Sequence, residues 1–217
     1  MNNINEEYIE EYIRSILPCK PEIFMDLEKY ANENHIPIIH PEVAQFLILI
    51  LKMKKPLNIL EVGTAIGYSA LIMAYGTQGK ANITTIEKRQ DMIDIAMNNI
   101  NSSYYSGKIE ILEGDAEEIL PKLTGKYDFI FLDASKGHYL DFFRDCSKLL
   151  NDDGLIVSDN VLYKGMVASD ELVVRRKKTI VKRMRQYLKY ISDLEGFITS
   201  VLPLGDGVAL TYKEGGN

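Results

Sequence analysis

Leu60-Glu61-Val62-Gly63-Thr64-Ala65-Ile66-Gly67-Tyr68-Ser69 is the stretch that decides the fold. It closes an apolar run, Leu57 to Val62, with an acid and two glycines. A helical pattern then opens at Tyr68 and runs to Tyr75. A short apolar run bounded by glycine reads as a buried strand, and the change of period after it reads as a helix. Gly63 and Gly67 permit a tight turn and a close approach of backbone to a ligand. The dinucleotide fingerprint needs a third close-set glycine, which weighs against a nicotinamide-dependent dehydrogenase.

The same alternation continues outward. Strands are predicted at Asn82 to Ile86, Ile109 to Leu112, Tyr127 to Leu132 and Gly154 to Ser158. Helices are predicted at Asp91 to Asn101, near 116–123 and at 139–150, with an amphipathic one over 172–190. Ile198 to Leu204 and Val208 to Lys213 flank Gly205-Asp206-Gly207 and read as a hairpin. Parallel βαβ units closed by an antiparallel hairpin predict an α/β fold, a doubly wound, mostly parallel seven-stranded Rossmann-like sheet. Extra helices precede it at 5–17, 21–35 and 42–53, with Pro41 at a helix start. The expected division is an N-terminal helical segment, 1–55, packed on the core as a lid or subunit contact, and a sheet domain, 56–217.

Composition narrows the class. The chain has 217 residues, 46% hydrophobic and 26% charged, as in an ordinary globular protein able to bury a full core. Cys19 and Cys146 lack metal-type spacing and suit a reduced, cytoplasmic setting. Met1 to Glu7 shows no basic-then-apolar leader, and Phe46 to Leu51 is too short to span a bilayer, so no membrane partner is expected. The net charge of −6 argues against a generally basic nucleic-acid binder. However, Lys164 to Lys189 holds nine basic residues against Asp170 and Glu171 alone. That asymmetry raises an anionic partner, although a solvated basic helix face is the plainer reading.

Acids sit at the predicted strand ends. Asp133 follows Leu132, and Asp159-Asn160 follow Ser158. If those two strands are parallel neighbours, three hard oxygen ligands meet at one sheet edge and suit Mg²⁺ or Ca²⁺. Glu87, ending the second strand, can accept both hydroxyls of a ribose. Asp115 can accept from an exocyclic amine or cap the helix starting at Ala116, and the roles can coexist. His35 and His40 have no ligand spacing and read as structural, and His138 as a surface or substrate-loop residue.

Together these residues resemble the class I S-adenosylmethionine (SAM)-dependent methyltransferases. Within that class the chain is similar to the metal-dependent O-methyltransferases acting on catechols and caffeoyl-CoA, from about His35 to Lys213. The likeness rests on Leu60 to Ser69, Phe131-Leu132-Asp133-Ala134-Ser135-Lys136, Ser158-Asp159-Asn160-Val161-Leu162 and Gly205-Asp206-Gly207. It is greatest to bacterial members that methylate 5-hydroxyuridine at the wobble position of tRNA. That likeness includes His35-Ile36-Pro37-Ile38, Asp159 to Gly165 and the basic run after Val174. The resemblance implies Asp133, Asp159 and Asn160 as ligands of a divalent metal, with Mg²⁺ expected. It implies a SAM site at Ile39, Glu61, Gly63, Thr64, Gly67, Ser69, Glu87, Asp115, Ala116 and Asp133. Lys136 would be the general base beside Asp133, and a homodimer is expected. The tRNA anticodon loop would meet Lys164, Arg175, Arg176, Lys177, Lys178 and Arg183.

Two other readings stay open. One is a small-molecule O-methyltransferase for a catechol-like or CoA-linked phenol, since the same cations could hold CoA phosphates. Ser135 stands where catechol enzymes carry a bulky aromatic, and the chain has no tryptophan. The other is a non-catalytic RNA-binding module on the same fold, which would have no need of three metal ligands.

Overall fold

The computed structural model describes residues 4–216. Met1 to Asn3, on which the absence of a leader partly rests, and Asn217 lie outside it. Seven strands form one sheet: β1 (Asn58–Val62), β2 (Asn82–Glu87), β3 (Ile109–Glu113), β4 (Tyr127–Leu132), β5 (Leu150–Ser158), β6 (Phe197–Leu202) and β7 (Val208–Lys213). Their order is β3-β2-β1-β4-β5-β7-β6. The first five are parallel, and β7 runs antiparallel to both β5 and β6. Strand order reverses between β1 and β4. In such sheets the crevice beyond the strands' carboxyl ends at that reversal is where ligands bind.

The helices are α1 (Glu7–Ser15), α2 (Glu22–Glu33), α3 (Pro41–Lys54), α4 (Tyr68–Gly76), α5 (Gln90–Asn101), α6 (Ala116–Ile119), α7 (Tyr139–Leu149) and α8 (Lys178–Ser192). One apolar cluster joins Phe24 and Leu27 of α2, Val43, Leu47 and Leu51 of α3, and Leu71 of α4 to Ile59 of β1 and Phe129 of β4. A second, on the sheet's other face, joins Leu60, Ile130 and Ile156 to Phe143 of α7 and Met184, Tyr187 and Ile191 of α8. Each fully buried side chain of this size contributes about 1.5–3 kcal/mol. Helices α2 and α3 therefore share a core with the sheet, while α1 buries no side chain of its own.

Three elements differ from the expected pattern. The helix expected over 172–190 begins only at Lys178, after two 3₁₀ turns at Asp170–Leu172 and Arg175–Lys177. Val173 and Val174 between them are extended, as their β-branched side chains prefer. The helix near 116–123 stops at Ile119 and tightens into a 3₁₀ turn at Leu120–Lys122, because Pro121 lacks the N–H an α-helix needs. Strand β5 starts at Leu150 rather than Gly154, with a register irregularity opposite Tyr127 to Phe129 and a left-handed Asp153.

Candidate active site

A cavity of about 480 Å³ opens at the topological reversal, beyond the ends of β1, β2, β3 and β4. Its wall carries Ile39, Gly63, Thr64, Ser69, Glu87, Asp115, Ala116, Asp133, Lys136, Asn160 and Lys164. The sequence placed all of these in a functional site.

The turn after β1 shapes one end. Gly63 has φ +106°, and a Cβ there would lie 2.1 Å from the Asp133 carbonyl oxygen, so only glycine fits between β1 and β4. Asp133 N–H donates to the Val62 carbonyl at 3.0 Å, locking the two strand ends together. Glu87 secures the same turn. Its Oε2 accepts from Ala65 N–H and its Oε1 from the Lys88 and Arg89 N–H groups, all at 3.0 Å. Asp115 caps α6 through Glu117 N–H at 3.1 Å and meets Lys88 Nζ at 3.3 Å. The N–H contact first, then Lys88, hold its carboxyl below the ordinary range. The cap is thus realised without closing Asp115 off from the cavity.

Glu61 and Gly67 are corrections: neither lines the cavity. Gly67 precedes α4 with φ +82° and serves the turn. Glu61 is fully buried beneath it. Thr85 Oγ1 donates to Glu61 Oε2 at 2.6 Å, and Ser69, itself in the cavity wall, also bonds the carboxyl. Glu61 Oε1 is buried without a partner. Burial pushes its pKa up to about 8 against the pull of those hydroxyls. Its place is behind the wall, holding Ser69.

The other end gathers acids. Leu132 pairs with Ser158 across parallel strands, so Asp133 and Asp159 leave the sheet side by side. Asp159 N–H donates to the Leu132 carbonyl at 2.9 Å, and Tyr139 Oη donates to the Asp159 carbonyl at 2.8 Å. Asp159 Oδ1 accepts from Asn160 N–H at 2.8 Å, while Oδ2 is buried without a partner. Burial first, then the Asp133 charge, raise the Asp159 carboxyl well above its ordinary pKa. Burial raises that of Asp133 too, offset by Lys136. Lys136 Nζ donates to Asn160 Oδ1 at 2.9 Å.

Among the described residues no three His, Cys, Asp or Glu cluster as metal ligands, but here the third candidate is an amide. The donor set fits a divalent cation: a buried carboxylate, Asp159, whose cost the neighbouring half-buried Asp133 raises, an orphaned oxygen on it, and an amide oxygen already facing an ammonium. Asp133, Asp159 and Asn160 could hold such an ion.

The basic segment divides. Lys164 lines the cavity, and Lys177 Nζ lies 5.5 Å from the ring centroid of Tyr163, also in the wall. Lys136 Nζ lies 5.8 Å from the same centroid. Arg175 and Arg176 are exposed nearby in the chain. Arg183 donates to the Gly137 carbonyl at 3.1 Å, steadying the loop that carries Lys136. Lys178 instead borders a separate groove with Lys182, Arg185 and Lys189. His138 contacts Glu117 on the surface, and its ring lies tilted 5.9 Å from that of Phe142.

His40, Tyr163 and Asp206 are wall residues that the sequence did not single out as binding groups. Asp206 belongs to the Gly205-Asp206-Gly207 turn, where spacing alone gave only a hairpin. Gly207 has φ +89°, and a Cβ there would sit 2.4 Å from Leu162 Cγ. The turn therefore packs directly on the loop after Asn160. Val161 and Leu162 N–H donate to the Gly207 and Asp206 carbonyls at 2.9 and 3.0 Å, and Lys164 N–H donates to Asp206 Oδ1.

The O-methyltransferase family profile matches residues 15–214, nearly the whole chain. The chain belongs to the O-methyltransferase family. It is 29% identical over 222 residues to caffeoyl-CoA O-methyltransferase 3 of Nicotiana tabacum, covering 95% of this chain and 89% of that protein. It is 31% identical to a catechol O-methyltransferase of Niastella koreensis, covering 78% and 80%. The fold superposes on the O-methyltransferase TomG of Streptomyces achromogenes, solved with SAM, with TM-score 0.83 at 22% identity over 96% of each chain. This family member is an O-methyltransferase, and the cavity at the ends of β1 to β4 is its candidate active site.

Proposed function

We propose that the acceptor is the 5-hydroxyl of 5-hydroxyuridine at the wobble position of a tRNA, with Mg²⁺ at Asp133, Asp159 and Asn160. Support comes from one observation: half-buried Lys177 and Lys136 lie over the Tyr163 ring in the cavity wall, exposed Lys164 lines the same cavity, and Arg175 and Arg176 are exposed beside Lys177 in the chain. Cations around an aromatic suit a splayed base held by its phosphates.

SAM supplies a methyl group on a positively charged sulfur. A bound divalent cation supplies a Lewis acid that acidifies a hydroxyl and fixes two adjacent oxygens. The chain's own residues do the rest. Glu87 and Asp115 offer carboxylate oxygens to a ribose and an exocyclic amine, and Gly63 lets the backbone come close. Asp133 lines the cavity beside Gly63. Lys136 in its neutral amine form, or solvent, is placed to receive the acceptor's hydroxyl proton. With SAM held there, its methyl carbon would pass to the acceptor oxygen with loss of the carbon–sulfur bond, and S-adenosylhomocysteine would remain. Tyr163 and Ile39 wall the cavity and limit water.

A second reading has specific support. The relatives above are named for caffeoyl-CoA and catechol, which weighs toward a small phenol more directly than any comparison weighs toward tRNA. Such acceptors present the same vicinal oxygens, and CoA would also use the cations. Initial rates on a 5-hydroxyuridine anticodon stem-loop, caffeoyl-CoA and catechol, with Mg²⁺, separate the readings. The proposal expects kcat/KM for the stem-loop to exceed the others at least tenfold. A reversed order would establish the phenol reading. Helix α1 and the residue that ends it leave Tyr8, Tyr12 and Ile16 62–68% exposed, and a second copy of the chain is the cover proposed for that face.

A further inference from the structure

His40 and Asp206 enter the cavity wall from opposite sides of Gly205, and neither is explained by a metal or SAM. His40 precedes α3, and a Cβ on Gly205 would lie 3.3 Å from its Cδ2. Asp206 follows in the chain and is only 8% exposed. Asp206 is bonded to the loop that follows Asn160, accepting from Leu162 and Lys164 N–H, and His40 packs on Gly205 beside it. The pair therefore adjoins the acids where the acceptor's oxygens would lie.

The hydrogen-bonding sense of each group is fixed by its neighbours. Arg14 Nη2 lies 3.2 Å from His40 Nδ1. A guanidinium only donates, so Nδ1 accepts and the ring's remaining proton sits on Nε2. Arg14 is itself held by Glu42 through two contacts of 2.9 Å, and Glu42 is 5% exposed. His40 is thus a donor of fixed tautomer on a rigid mount. Asp206 Oδ1 is engaged by Lys164 N–H, which orients the carboxylate and leaves acceptor capacity on it. His40 and Asp206 thus place a donor and an acceptor on the stretch of cavity wall around Gly205.

We propose that His40 and Asp206 read the imide edge of a pyrimidine acceptor, Asp206 accepting from its ring N–H and His40 donating to the adjacent carbonyl. This rests on the 5-hydroxyuridine reading and extends it to specificity. In 5-hydroxyuridine the 5-hydroxyl and 4-carbonyl are vicinal, the ring N3–H comes next, and the 2-carbonyl follows. Acids, then an acceptor, then a donor match that sequence of groups. A catechol ring has only carbon–hydrogen edges there and leaves both residues unsatisfied, which disfavours it.

The test is a cycle of one protein substitution and one substrate substitution. The substrates are anticodon stem-loops carrying 5-hydroxyuridine or its N3-methyl derivative. The proteins are the full chain and its Asp206→Asn variant, whose Oδ1 still accepts from Lys164. N3-methylation should lower kcat/KM at least tenfold for the unaltered protein and less than threefold for the variant. Equal penalties in both proteins, or no penalty in the unaltered one, would overturn the assignment. An unaltered protein inert on 5-hydroxyuridine sinks the acceptor reading itself, and the inference with it. Calorimetry of S-adenosylhomocysteine binding reports folding of the variant. Should it fail there, His40 decides: His40→Gln, which keeps a donor, should retain at least fivefold more kcat/KM than His40→Leu. Equal losses contradict the proposal.

Discussion

Asp159 Oδ2 is a buried carboxylate oxygen with no partner, beside a second acid whose charge raises its cost. Without a cation this is a stability debt. Asp159→Asn keeps the acceptor for Asn160 N–H and removes a charge. In chelator the variant should unfold several degrees higher than the unaltered protein, a gain of about 1–2 kcal/mol. With Mg²⁺ present its turnover should fall about a hundredfold or more, with S-adenosylhomocysteine affinity kept within about threefold. A lower melting temperature in chelator would contradict the electrostatic account. Glu61 carries a pH signature. Its folded pKa of about 8 lies above its ordinary value of 4.5, chiefly through burial, with Asp133 and Glu87 adding and Ser69 and Thr85 opposing. A raised pKa gives stability that is full below 4.5 and lost as pH rises through about 8. Denaturant titrations from pH 5 to 9 should show that loss, on the order of a few kcal/mol, and Glu61→Gln should flatten it. Parallel curves for both proteins would refute it. Asp133, Asp159 and Asn160 were legible because each ends a run of β-forming residues. His40 and Asp206 were not, because their roles come from Arg14 and Lys164, which approach from distant parts of the chain.

At the scale of elements, the central parallel strands were readable because both sheet faces are covered there and β4 and β5 carry the apolar runs Phe129 to Leu132 and Leu155 to Val157. Helix ends were less so. Pro121 and the Val173-Val174 pair shortened two expected helices, and neither shows in hydrophobic periodicity. That shortening matters for function. The turn at Arg175–Lys177 brings Lys177 back over Tyr163, whereas Lys178 starts α8 and borders another groove. Arg185 also leaves the basic face, donating to the Val167 carbonyl at 2.9 Å and pairing with Asp170 at 2.7 Å. Lys164→Glu with Lys177→Glu should raise KM for a phosphate-bearing acceptor at least tenfold. The slope of log KM against log salt should drop by about two, one for each phosphate contact. An unchanged salt slope would remove these lysines from the acceptor's path.

For the molecule as a whole, the sequence suggested a boundary near residue 55, while the apolar cluster runs unbroken from α2 and α3 into the sheet. Helix α1 stands apart: Arg14 ties it to Glu42, and its apolar stripe faces outward. Periodicity revealed that stripe but not which surface covers it. If a second copy does, sedimentation should show a dimer at micromolar concentration, and Tyr12→Glu with Ile16→Glu should yield a folded monomer. A monomeric unaltered protein would contradict this. No helix among the described residues is long and apolar enough to cross a membrane. The central claim, methyl transfer to a tRNA base at Asp133, Asp159 and Asn160, is tested most directly by nucleoside mass spectrometry. Purified protein, SAM and Mg²⁺ are incubated with tRNA carrying 5-hydroxyuridine, with and without chelator. The account predicts conversion to 5-methoxyuridine with Mg²⁺ and none with chelator. Intact 5-hydroxyuridine under conditions where caffeoyl-CoA or catechol is methylated would contradict it.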